Sequence, residues 1–200
     1  MTKGRTLTRI VATAEVRSAW DAAEARLERL HAIRSTSLVV DGGGFFGSTG
    51  GYYRLGAAEL ERQTALALYD VLAPSAFGWP HYFEPTLHQR TVCANAFDAG
   101  SCQPLFHRLR QATISGRTVA ITAVITTEAF HAIPVHQRLR QEAIDPAEAL
   151  KHLWRIHHSK VDARVALLSH GSVSEAIKLA ADCPFLDIVV AGDGSSDYSE

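Results

Sequence analysis

The sequence has little that marks a specialised environment. Its three cysteines (Cys93, Cys102, Cys183) are odd in number and lack CxxC spacing, which argues against a disulfide framework or a structural zinc site. Cys93 and Cys183 sit in or beside apolar runs and read as buried, inert thiols. No apolar run approaches the roughly 20 residues of a membrane-spanning helix, and the stretch Met1–Ile10 lacks the apolar core of a secretory signal. Neither sign of charge is in surplus, with 20 Lys and Arg against 21 Asp and Glu and a formal net charge of −1. A broad grip on nucleic acid or on an anionic membrane needs a basic excess, so neither is expected as a partner. The expected location is the cytoplasm.

What is present is an ordinary globular composition, 46% hydrophobic and 20% charged over 200 residues. That length supports one sizeable core and not two, so residues 1–200 read as a single domain. The one excess is histidine, ten in all, which invites a metal or acid–base reading that has to be weighed position by position.

Short apolar runs alternate with helical patterns. Leu7–Thr13 reads as a first strand, followed by a helix from about Ser18 to Ile33 with Leu27, Leu30 and Ile33 as its buried stripe. Thr36–Asp41 is a second strand, short and apolar enough to lie inside a parallel sheet. A glycine-rich loop, Gly42–Gly56, leads into a helix over Ala57–Val71. Pro74, Gly78, Pro80 and Pro85 break the next stretch, leaving at most a short helix around His81–His88. Thr91–Ala94 reads as a strand. Leu105–Ile114 and Arg117–Ile125 flank Ser115-Gly116 as a hairpin. A loop holding His131, Pro134 and His136 precedes a helix from Asp145-Pro146 to His157, where proline suits the first turn. Ala163–Leu168 is a strand, Ser172 and Glu175 cap a helix to Ala181, and Phe185–Ala191 is the last strand. This alternation with one hairpin specifies an α/β domain with a mixed sheet.

Five stretches, in order, carry a resemblance to a known family: Thr8–Ser18 (TRIVATAEVRS), Ser37–Gly56 (SLVVDGGGFFGSTGGYYRLG), Thr91–Asp98 (TVCANAFD), Pro104–Thr127 and Val165–Asp193 (VALLSHGSVSEAIKLAADCPFLDIVVAGD). Together they resemble the calcineurin-like metallophosphoesterases, specifically the 5′-nucleotidase branch, over nearly the whole chain. The resemblance implies a four-layer αββα sandwich: two mixed β-sheets flanked by helices, with the active site on loops at one edge. It also implies two metal ions that clamp a phosphate ester and activate a bridging hydroxide. Family domains usually continue past the last motif, so the fold is expected to be truncated at the C-terminus. The second sheet is then expected to have an exposed edge that a second copy or a partner subunit covers.

Matched motif by motif, most of the implied ligands are absent. Where the family has Asp-x-His, this chain has Glu15-Val16-Arg17; Glu15 keeps a carboxylate, whereas Arg17 is permanently protonated and binds no metal. The family's Asp-x-Gly-Asp becomes Asp41-Gly42-Gly43-Gly44, with no side chain at the bridging position. Gly-Asn-His-Glu has only Ala73-Pro74-Ser75-Ala76-Phe77 in its place. The histidine after the fourth strand motif persists as His170, and Gly-His-x-His becomes Gly192-Asp193-Gly194-Ser195. The resemblance therefore gives His170, Glu15 and Asp193 as catalytic candidates, or as the ligands of a single metal. Arg17, Asp41, Asn95 and Ser195 are its ligand-binding candidates.

The other histidines read as surface. His152, His157 and His158 lack i, i+4 ligand spacing, and His131 and His136 sit in an irregular loop. His81, His88 and His107 lie in broken or amphipathic segments and read as partly exposed. The glycine-rich loop lacks the Lys-Ser/Thr ending of a phosphate-binding loop, and burial is the commoner fate of adjacent Phe45 and Phe46.

Two functions follow. The first is a non-hydrolytic descendant that binds a small anionic ligand or a partner without metal, or runs a repurposed pocket; there Arg17 and His170 hold an anion and Glu15 or Asp193 acts as a base. The second is a phosphate-ester hydrolase working through one divalent metal (Mn, Fe or Zn) on a reduced ligand set. Loss of most of the cation-binding charge favours the first.

Overall fold

Five successive buried residues make the second strand. β2 (Ser37–Asp41, SLVVD) is covered on both faces, as an interior parallel strand must be. It pairs in parallel with β1 (Arg9–Thr13) and with β3 (Val71–Leu72), which the sequence reading had placed at the end of a helix. The computed structural model describes residues 5–16, 28–46, 57–157 and 160–192.

A second sheet forms from β5 (Arg110–Ile114), β6 (Arg117–Ile125), β8 (Ala163–Ser169) and β9 (Ile188–Gly192), in that order. β5 and β6 are the expected hairpin; Ser115 and Gly116 turn it with φ of 48° and 78°, the positive values that match hairpin twist. β8 and β9 then add in parallel. A separate antiparallel ribbon joins β4 (Ala96–Asp98) to β7 (Gln141–Ala143).

Alternation along the strands builds the layers. Leu38, Val40 and Val71 of the first sheet pack against Ile121, Ala123, Val165 and Leu167 of the second, forming a core between the two sheets. Ala166 and Leu168 point the other way, onto α5 (Pro146–Ile156) and α6 (Val173–Asp182). Val39 faces the outer side of the first sheet, where α1 (28–33) brings Leu30 and α2 (Ala57–Leu68) brings Ala65 and Leu68. The described residues thus form helices, sheet, sheet, helices: the four-layer sandwich. The same outer cluster buries Phe45, Phe46, Trp79 and Tyr82 completely.

Local signals explain the helix starts. Asp145 accepts from the Glu148 N–H at the head of α5, with Pro146 in its first turn. Ser172 and Glu175 form a reciprocal capping box on α6. Two segments differ from the reading of the sequence. Thr91–Ala94 makes only isolated bridges, Thr91 to Leu72 and Val92 to His107, because it crosses between the sheets and does not run along either one. His131 lies on a short helix, α4 (Thr127–Ala132), capped by the Thr126 hydroxyl. The proline-broken stretch holds a 3-10 turn at Trp79–Phe83 and a single turn, α3 (Pro85–His88).

One ion cluster ties the first sheet to its helices. Asp70 accepts from Arg5 Nη1 at 2.7 Å, from Arg34 Nη2 at 3.4 Å and from the Val39 N–H at 3.0 Å. Its side chain is only 10% exposed, so removing it strands two cations and a strand N–H. Asp70→Ala should cost about 3 kcal/mol and lower the Tm by roughly 6–12 °C. Asp70→Asn retains the Val39 bond and should lose less, a comparison that thermal melts decide.

Candidate functional site

Two rows of strand ends meet at one edge of the sandwich. Thr13, Asp41 and Leu72 end the first sheet in register, and Ile125, Ser169 and Gly192 end the second. The chain can bring them together only because side chains are absent between them. A Cβ at Gly43, whose φ is +118°, would overlap the Ser169 hydroxyl, and one at Gly192 would overlap the Gly42 carbonyl oxygen. The β1 and β2 ends are laced by backbone bonds, Gly42 N–H to Thr13 O at 2.7 Å and Glu15 N–H to Gly43 O at 2.8 Å.

Asp41 lies beneath this edge, fully buried. Its carboxylate accepts from the Gly43 N–H at 3.1 Å and from the Thr13 hydroxyl at 3.3 Å, and Thr13 in turn is 2.9 Å from the Tyr69 hydroxyl. Burial outweighs these bonds, and the neighbouring Glu15 charge adds to it, so the Asp41 pKa is pushed up to about 7. Burial and the Asp41 charge also raise that of Tyr69. Asp41 is thus a fully buried acid at the base of the site whose proton is held to higher pH than that of an ordinary carboxyl.

Glu15 and His170 form the half-buried part of the site. Both adopt the left-handed conformation, with φ of 53° and 56°, which is costly for such residues and clusters at functional sites. His170 Nδ1 lies 3.4 Å from Glu15 Oε1, with the two side chains 9% and 17% exposed. The Ala76 N–H donates to His170 Nε2 at 3.2 Å. A backbone N–H can only donate, so Nε2 is the acceptor and the ring proton sits on Nδ1, facing the carboxylate. The Phe77 ring meets the imidazole edge-on at 5.6 Å. Ala76 and Phe77 therefore provide a backbone donor and an aromatic wall to His170. Nothing in side-chain chemistry announced that contact, since Ala76 contributes only its backbone.

Among the described residues, the Asp41 and His170 acceptors at this edge are engaged by protein donors. A metal-bound imidazole needs a free lone pair, and that of His170 Nε2 receives the Ala76 N–H. Asp41 is enclosed by its own donors. Position 44 has no side chain. Among the described residues, no three or more His, Cys, Asp or Glu side chains are grouped so as to hold a metal ion. Asp193, Ser195 and Arg17 lie outside the described residues.

Asn95 is bonded to the β6 end of this edge. It is fully buried, and its amide group makes three backbone bonds: Nδ2 donates to Ile125 O at 2.8 Å and Ile144 O at 2.9 Å, and Oδ1 accepts from the Ile125 N–H at 3.0 Å. It pins the end of β6 to the ribbon and has no amide atom left to offer a ligand. A separate depression of about 230 Å³ opens between α4, α5 and α6, but Asp145, Glu175 and Thr126 on its wall are occupied as helix caps. Among the other described histidines, His88 and His107 lie ring to ring at 5.9 Å, while His152 contacts Arg155 and His157 contacts Gln111 at the surface.

No protein-family model matches the chain, and no curated protein matches it. Solved structures do. A calcineurin-like phosphoesterase from Bacillus subtilis superposes with a TM-score of 0.64 at 12% identity, over 91% of this chain and 70% of that one. A sulfate thiohydrolase from Thermus thermophilus gives 0.63 at 19% identity, over 90% and 37%. A 5′-nucleotidase precursor from the same organism gives 0.57 at 21% identity, over 90% and 35%. These likenesses establish the fold as the calcineurin-like metallophosphoesterase fold, in the form found in 5′-nucleotidases. This chain spans little more than a third of the length of the nucleotidase and the thiohydrolase.

The Asp41 environment sets a pH dependence. Its folded pKa lies above its unfolded value, so its contribution to stability is complete below about pH 4 and is lost as the pH rises to about 7. Asp41→Asn keeps the shape and removes the titration, so the variant should gain on the wild type across that window. The gain is on the order of 4 kcal/mol at most, from about three pKa units. Denaturant melts at pH 5 and pH 8 check it; an unchanged difference between the two proteins at both values contradicts the assignment.

Proposed function

We propose that this chain is a non-hydrolytic descendant on the calcineurin-like phosphoesterase fold, whose strand-end pocket binds a ligand or partner without a dinuclear metal centre. The observation that supports it most is the state of His170. Its lone pair receives a backbone N–H and its other ring nitrogen lies 3.4 Å from Glu15 Oε1, so the imidazole that matches the family motif is engaged by this chain's own groups. The carboxylate lost at position 44 removes the other requirement of a two-metal clamp. In this reading Arg17, His170 and Ser195 are the groups for a small anionic ligand, and Glu15 or Asp193 is the base if the pocket has acquired other chemistry. The cysteine pattern is that of a cytoplasmic protein.

The partner we propose meets the second sheet at β9. That strand is an edge among the described residues, and its sequence IVVAG carries none of the charges or prolines that usually guard one. Ile188, and Val173 and Ile177 one helical turn apart on α6, are exposed beside it. A second copy paired along this edge would cover them. Native mass measurement should show a dimer that Ile177→Glu dissociates; a monomeric wild type contradicts this assignment.

Turnover of a generic phosphomonoester with added Mn²⁺ tests the non-hydrolytic reading. The expected rate equals that of the Mn²⁺ blank and is unchanged in His170→Ala. Hydrolysis by the wild type that His170→Ala abolishes would establish the single-metal hydrolase instead.

A further inference from the structure

We propose that the arginines gathered around Asp70 form a binding site for a small, multiply charged phosphate anion, away from the strand-end pocket. Arg9 opens β1, and its Nε donates at 3.0 Å to the hydroxyl of Ser37, which opens β2. Arg5 donates through Nη1 to Asp70 at 2.7 Å and through Nη2 to the carbonyls of Ser37 and Arg34. Arg34 reaches Asp70 through Nη2 at 3.4 Å. Arg90 and Arg110 meet the same short segment through its backbone. Arg90 Nη1 donates to Tyr69 O at 2.6 Å, and Arg110 Nη1 to Asp70 O at 3.3 Å.

The charge in this cluster does not balance. Among the described residues, Asp70 is the only carboxylate that any of these arginines touches. Burial first, and then the neighbouring Arg34 and Arg110 charges, lower the Arg90 pKa against the pull of Asp70. Helix capping accounts for part of the arrangement. Arg34 Nε donates to Leu68 O at 2.9 Å and Arg90 Nη1 to Leu66 O at 2.6 Å, at the carboxyl end of α2, where cations are favoured. It accounts for neither Arg9 nor Arg110, and the repulsion among the surplus cations is relieved by an added anion.

The donors left over suit phosphate. Within the described residues, Arg90 and Arg110 bond only through Nη1 and Arg9 only through Nε, and Arg5 Nε is buried without an acceptor. Guanidinium groups present their N–H donors in planar forks that match phosphate oxygens. Contacts to the backbone already hold these side chains, so little further freedom is lost when an anion arrives. The chain as a whole has a net charge of −1, so the cluster fits a compact anion and not the broad basic face that nucleic acid requires.

Calorimetric titration of the full chain with inorganic pyrophosphate at fixed ionic strength tests the site. The expected result is saturable binding of one equivalent per chain, weakened about tenfold or more in Arg9→Gln and in Arg110→Gln. Arg9→Gln removes an exposed head and a single bond to a hydroxyl, so it keeps the measurement decisive where Arg110→Gln fails to fold. No saturable binding, a signal that matched NaCl reproduces, or binding unchanged in either folded variant would each overturn the inference. Binding lost in His170→Ala and retained in the arginine variants would assign the anion to the strand-end pocket, overturning this site while supporting that one.

Discussion

Two strand ends that approach without side chains between them govern this molecule. Gly42 and Gly43, after β2, lie against Gly192 and Ser169, at the ends of β9 and β8, and a side chain at Gly43 or Gly192 would block that approach. The contact fixes the separation of the two sheets at their carboxyl ends and so the depth at which Asp41 is buried. It also sets the path of the segment after β1 that carries Glu15 over Gly44. The left-handed backbones of Glu15 and His170 are local costs that the surrounding packing imposes and sustains.

The strand ends meet at this edge, while the sandwich draws its stability from the core between the sheets and from the two helical covers. At this edge Asp41 accepts from Gly43 and Thr13, and His170 accepts from the Ala76 N–H with Glu15 beside it. The metal-free reading we propose draws on this arrangement, since a site built to receive cations needs acceptors turned outward and deprotonated.

Much of the fold was legible in the sequence where local and global signals agree. β2, β6 and β8 are apolar runs bounded by breakers, and Ser172 with Glu175 and Asp145 with Pro146 announce their helices through capping chemistry that needs no tertiary context. The hairpin at Ser115-Gly116 is legible for the same reason. β3 was hidden because two residues carry no periodicity, and the β4–β7 ribbon because three-residue strands pair across more than forty residues of sequence. Thr91–Ala94 has the composition of a strand but crosses between sheets, a matter of topology that composition does not encode. At the site, the sequence pointed to Glu15, Asp41 and His170, which the fold brings to one edge. It could not show that the Ala76 backbone donates to His170, nor that Asn95, placed on a family motif, has its amide filled by Ile125 and Ile144, since both depend on main-chain groups that every residue carries.

The central claim is that the strand-end pocket has no working metal centre. Elemental analysis of the full chain, purified without chelators, tests it most directly. The account predicts Mn, Fe and Zn contents far below one per chain, with the same values in His170→Ala. One or more equivalents of any of these metals, lost on that substitution, would contradict it.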